Sequence, residues 1–186
     1  MPLPISHSLV GAGLAALSRP QSSLKRDWPV LLLAAFLATT PDFDFFLIWG
    51  LHLSRSFHRG PTHSIFLAAI VTGLMLLGSG FSNVRTVLAC GAAFLSHGIL
   101  DFLTTKLGGG VELLWPFSDV RLKLGVVGFS EFPNGFHLAE VVRSSLIEVA
   151  VFTPVLLAVL LIREYRSQAS APQGAQPDDS SNTPSR

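Results

Sequence analysis

Two stretches hold residues whose types and spacing suit chemistry: HRGPTHS, from His58 to Ser64, and SHGILD, from Ser96 to Asp101. Each sets histidine beside small or turn-forming residues, next to a long apolar run. An imidazole or carboxylate so deep in apolar sequence is costly unless it has a partner. His97 and Asp101 are four residues apart, so on a helix they share one face. Asp42 and Asp44 follow Pro41 in TTPDFDFF, and His7 lies in the first apolar run.

A mixed histidine and aspartate set suits a divalent metal, zinc first, with manganese or iron as alternatives. The single cysteine, Cys90, excludes thiolate-rich and iron–sulfur sites as well as a disulfide framework. A hydrolytic site needs several protein ligands and an open position, where bound water becomes a nucleophile near neutral pH. The candidate ligands are His7, Asp42, Asp44, His58, His63, His97 and Asp101. They suffice for one metal and have room for a second. Asp42 and Asp44 diverge on a regular helix, so both bind only if Pro41 breaks it. Asp44 or Asp42 is the candidate to orient or deprotonate the water, and Arg59 to hold an anionic oxygen such as a phosphate. Thr62 and Glu148 are candidates for supporting the ligands from behind.

Each residue also has an ordinary structural reading. A histidine in a membrane helix can bond a carbonyl of its own or a neighbouring helix. Asp42 after Pro41 fits simple turn chemistry. His58 can be a solvated turn residue, His63 a local hydrogen-bonding one, and His7 a residue at a frayed end. Ser145-x-x-Glu148 reads as a capping box. Arg59 can pair with a carboxylate. His52 and His137 are read as non-ligands.

The elements that must position these residues are membrane helices. Of 186 residues, 49% are hydrophobic and only 13% charged, about half the usual quarter of soluble domains. The net charge of +1 offers no basic patch for nucleic acid. The first apolar run has no basic segment before it, so a cleaved signal peptide is not expected. Apolar runs at 3–17, 28–53, 64–81, 84–103 and 145–162 predict about five transmembrane or membrane-embedded helices, the first short and the second broken at Pro41. Pro61 is expected to start the third helix. An irregular cap with short strands or a re-entrant stretch is expected at 106–143. The membrane-embedded domain is expected over 1–163, and a disordered polar tail at 164–186.

Traced as alternating passes, these runs return His7, Asp42, Asp44, His58, His63, His97, Asp101 and Glu148 to one membrane face. That convergence is the main argument for a single site. A metal-binding or transport protein without catalysis is the alternative, but it predicts polar residues spread through the bilayer.

The combination of FHRGPTHS with SHGILDFLTTKLGGGVELLWPFS resembles the YdjM-like inner-membrane proteins, described as LexA-regulated, membrane-bound, metal-dependent hydrolases. These show a similar HRG-x-THS turn, then SH-x3-D followed by LT and LLWP. The early His7 and the PDFD element are also similar. The resemblance covers about residues 5–150. The apolar runs point to an all-α polytopic bundle, and the resemblance implies a bacterial inner-membrane location and hydrolase activity. It also implies ligation by His63, His97, Asp101 and the PDFD aspartates. A looser likeness is to the zinc-dependent phospholipase C and P1-type nuclease group, which uses an N-terminal histidine and His-x3-Asp or His-x3-Glu pairs. Only one such pair is present here, unless Glu148 stands in for the second. The expected partners are the bilayer and a small-molecule or lipid-linked phosphoester substrate.

Overall fold

The computed structural model describes residues 3–19, 24–106, 109–126 and 137–169. It is an all-α membrane bundle. Helix α1 (Pro4–Ser18) starts on Pro4, whose missing N–H costs nothing in a first turn. Helix α2 (Leu24–Leu37) begins earlier than the apolar run at 28–53 suggests, because the polar stretch Leu24 to Asp27 forms its first turn. It stops before Pro41, which sits in a 3₁₀ turn (Thr40–Phe43), and α3 (Asp44–Gly50) leaves at 49°. The break expected at Pro41 is therefore present.

Pro61 opens a 3₁₀ turn (Pro61–His63) rather than the long helix expected there. The reason lies in Ser64, which is extended and caps the next helix by accepting from Leu67 N at 3.1 Å. Helix α4 (Ile65–Gly78) follows after a 52° bend. Asn83, in the left-handed region, turns the chain into α5 (Val84–Thr104), which carries His97 and Asp101. The last helix, α6 (Leu138–Ala169), is longer at both ends than the run at 145–162. Its first turns take residues expected in the cap, and its end takes residues expected in the tail. Residues 170–186 lie outside the described residues, as do Gly108 and the Pro133-Asn134-Gly135 turn of the cap.

Helix α1 lies against α2, α5 and α6 and is the centre of the bundle. The core around it is made of small residues: Ala15, Ala34, Ala38, Cys90 and Ala93. Small side chains let helices approach closely where lipid offers no hydrophobic drive to pack them. Gly11 marks the closest crossing, since a Cβ there would lie 2.6 Å from the Ala34 carbonyl oxygen. The large apolar residues point the other way; Trp28, Phe46, Trp49, Leu74 and Leu161 are exposed, as a lipid-facing surface requires.

Helix α5 and most of α6 are each long and apolar enough to cross a membrane. Each bent pair, α2 with the segment through α3 and the 3₁₀ turns with α4, makes one further span if counted together. Helix α1, with 15 residues, is too short by that measure and is instead enclosed by its neighbours. At one end of the bundle Asp27 is fully buried between two arginines. Arg19 Nε lies 3.0 Å from Asp27 Oδ1, and Arg163 binds Asp27 Oδ2 while donating to the Arg19 carbonyl at 2.9 Å. This triad ties α1, α2 and α6 together.

The cap contains no regular strand among its described residues. Val111 and Leu122 form a single antiparallel bridge. Instead the segment uses its backbone on its neighbours. Leu124 N and Val126 N donate to the Phe102 and Leu103 carbonyls at the end of α5, each at 2.8 Å. Those carbonyls have no partner within the helix, so the cap satisfies them.

Candidate metal centre

Five elements bring the polar residues together. Helix α1 supplies His7, the Pro41 turn supplies Asp42, the His58–His63 turns supply both of those histidines, and α5 supplies His97 and Asp101. His7, His63, His97 and Asp101 are fully or almost fully buried, while Asp42 remains 12% exposed.

Their contacts are tightly grouped yet do not form hydrogen bonds. His97 Nε2 is 3.3 Å from Asp42 Oδ1. His63 Nε2 is 3.6 Å from Asp42 Oδ1 and 3.8 Å from Asp101 Oδ2. His7 Nε2 is 3.6 Å from Asp101 Oδ1. All of these atoms, and His58 Nε2, are buried without a hydrogen-bond partner. Leaving one such atom unsatisfied costs on the order of 1–3 kcal/mol, so a whole group of them is unfavourable unless something else binds them. Donors about 2.1 Å from a tetrahedral ion stand roughly 3.4 Å from one another, close to the spacing here. The donor set therefore fits a divalent metal.

The donors do not close into one shell. His7, His97 and Asp101 form one set whose ligand atoms lie within 4.8 Å of each other, and Asp42, His63 and His97 form another. Asp44, His58 and His63 come equally close, but there the atoms are engaged in hydrogen bonds. Asp44 Oδ1 accepts from His58 Nδ1 at 2.9 Å, and Oδ2 accepts from Thr62 Oγ1 at 3.0 Å and Arg59 N at 3.3 Å. Asp44 thus sits among the expected ligands with both oxygens turned to the His58–Thr62 turn. Thr62 lies between it and His63, whose Nδ1 is 2.9 Å from Thr62 Oγ1. Arg59 Nε lies 3.4 Å from Asp101 Oδ2, at the edge of the group.

Glu148 is elsewhere. Its carboxylate accepts from Leu3 N at 2.6 Å and from Ser6 Oγ at 2.5 Å, at the start of α1. The capping box read at Ser145 does not form, because α6 begins at Leu138 and Ser145 Oγ donates to the Val141 carbonyl within the helix. Glu148 instead caps another helix, and through Ser6 it fixes the residue before His7.

Sequence reasoning did not find the Ala38 carbonyl, which accepts from His97 Nδ1 at 2.7 Å. It is available because α2 ends there and Pro41 stops the helix from continuing. Glu112 and Arg121 were also missed. Arg121 pairs with Glu112 at 2.9 Å and donates to the Ser56 and His58 carbonyls, so the cap grips the turn that carries His58 and Arg59. Glu112 lies in the GGGVELLWPFS stretch, but nothing in its spacing points to Arg121 or to the His58 turn. Among the glycines, Gly98 is required, since a Cβ there would strike the His63 carbonyl.

No curated protein and no solved structure matches the chain. A family model described as YdjM inner membrane protein matches residues 1–170, and with its apolar helices and enclosed polar cluster the chain belongs to that family of bacterial inner-membrane proteins.

Proposed function

We propose that the protein is a membrane-bound, metal-dependent hydrolase of a phosphoester on a lipid or lipid-linked molecule. One observation carries this reading: unpartnered donor atoms of His7, Asp42, His63, His97 and Asp101 converge in a buried group at ligand-like spacing, with His58 beside them. These residues would hold the metal, with zinc best suited to the imidazole and carboxylate set and manganese or iron as alternatives. When bound, such an ion supplies a polarised water near neutral pH and a Lewis acid for the phosphoryl oxygen.

The remaining roles belong to the chain. Asp42, the partly exposed carboxylate of the group, takes the proton of the attacking water. Arg59 holds the oxygen on which negative charge builds up. The burial of His7, His63 and His97 keeps bulk water from the donors. A lipid-like substrate suits the surroundings, because α3 carries exposed Phe46 and Trp49 directly after the Asp42 turn, and the cap carries exposed Phe117. Aromatic residues favour the membrane–water boundary, where a lipid headgroup lies.

A transport reading is less well supported. The core beyond the group is built from Ala15, Ala34, Ala38, Cys90 and Ala93, small apolar residues rather than a chain of ionisable ones.

The test is metal content by mass spectrometry on detergent-purified protein, followed by a panel of phospholipids and isoprenoid phosphates scored for released phosphate or headgroup. Bound metal that is lost in His63→Ala and Asp101→Ala, with hydrolysis lost in step, is the expected result. A folded parent that takes up no divalent metal on titration overturns the reading. A metal-loaded parent inactive on the whole panel overturns the substrate class.

A further inference from the structure

Asp44 is almost completely buried, and both its oxygens are already engaged in hydrogen bonds. Its oxygens accept three hydrogen bonds from the His58–Thr62 turn, from His58 Nδ1, Arg59 N and Thr62 Oγ1. Two consequences follow from counting protons. A carboxylate only accepts, so the proton on His58 must be on Nδ1, and Nε2 carries the lone pair. The Thr62 hydroxyl has one proton and gives it to Asp44. The 2.9 Å contact between Thr62 Oγ1 and His63 Nδ1 must therefore be donated by the imidazole. His63 then also carries its proton on Nδ1 and turns a bare Nε2 towards Asp42 and Asp101.

We infer that Asp44 is a positioning residue: acting directly on His58 and through the Thr62 hydroxyl on His63, it fixes both imidazoles in the tautomer whose Nε2 is free to ligate. This deepens the metal reading above and rests on it for the purpose of the lone pairs. His97 reaches the same state by another route, through the Ala38 carbonyl. The three histidines thus share one tautomer, set by one carboxylate and one main-chain acceptor.

The arrangement makes an unusual demand on substitution at Asp44. In Asp44→Asn the amide keeps one acceptor for His58 and replaces the other with an NH2 donor. That donor meets two further donors, Thr62 Oγ1 and Arg59 N. Thr62 can relieve the conflict by accepting from the amide and turning its own proton onto His63 Nδ1. His63 must then carry its proton on Nε2, the atom meant to ligate.

The experiment uses the full chain in detergent, labelled with ¹⁵N-histidine and studied without metal, because imidazole nitrogen shifts distinguish the two tautomers. It is joined to zinc affinity by chelator competition. The parent is expected to show His58 and His63 protonated on Nδ1. Asp44→Asn and Thr62→Val are expected to lose that signature for His63 and to bind zinc about 10- to 100-fold more weakly. Thr62→Ser, which keeps the hydroxyl, is expected to restore both. If Asp44→Asn does not fold, the two Thr62 variants carry the test. Thr62→Val with parental tautomers and zinc affinity overturns the inference. A parent with Nδ1-protonated histidines that binds no zinc defeats the metal reading while leaving the positioning role of Asp44 intact.

Discussion

The imidazoles of His7 and His97 stack face to face, with ring centroids 3.7 Å apart and planes inclined by 17°. One ring comes from α1 and the other from α5, and both are fully buried. The short first helix, which lacks the length to cross a membrane, is thereby joined to the donor group.

The split of the donors predicts the metal stoichiometry. Asp101 presents Oδ1 to His7 and Oδ2 to His63, so its carboxylate can bridge two ions, whereas the one lone pair of His97 Nε2 serves only one of the two donor sets it lies in. Two zinc equivalents are expected per chain by mass spectrometry. His7→Ala is expected to retain one, and Asp101→Ala neither. A single equivalent in the parent, unchanged in His7→Ala, would restrict His7 to stacking.

Glu148 supports the site from a distance. Its carboxylate accepts from the backbone of Leu3 and from Ser6, at a helix N-terminus that favours negative charge. Glu148→Ala is expected to lower stability by roughly 1–3 kcal/mol, seen as a reduced midpoint in thermal unfolding in detergent. Ser6→Ala added to it should cost little more, because the bond is already gone. Full additivity would show that the two residues act separately.

The Asp27 triad predicts a purely structural defect. Asp27→Ala leaves Arg163 in a buried position without its carboxylate, and is expected to cost about 3–5 kcal/mol. The folded fraction should keep its parental zinc content, because the triad and the donor group lie apart. Zinc loss in folded protein would contradict that separation.

Gly98 faces the His63 carbonyl with no room for a side chain. Gly98→Ala is expected to destabilise by about 1–3 kcal/mol through overpacking and to weaken zinc binding, because the His63 turn must move. Gly73→Ala is the control: a Cβ there meets nothing within 4 Å, so stability should hold or rise. Equal unfolding midpoints for both variants would refute the close contact.

What could be read from the sequence was what depends on local spacing. The His97 and Asp101 pair follows from helical periodicity, and the interruption after α2 follows from Pro41. What could not be read depends on partners far apart in the chain. Glu148 matched a local capping pattern at Ser145, but its partner is Ser6, 142 positions away. Asp44 has the composition of a ligand, and only the turn around it shows where its oxygens point. Glu112 and Arg121 lie in a segment without periodicity, so their grip on the His58 turn had no signal. The C-terminal end of α6 runs past Arg163, the last residue expected in the membrane domain, which is buried against Asp27, a partner 136 positions away.

The last helix has a consequence for synthesis. Chains are made from the N-terminus, so α1 enters the membrane long before its partners on α6 exist. Until Glu148 and Arg163 emerge, the start of α1 lacks its acceptor and Asp27 lacks one of its two cations. His7 is therefore placed only when the ribosome has completed nearly the whole membrane domain. A chain that lacks α6 holds most of the donors but not their final arrangement, so the centre becomes competent only after α6 has been made.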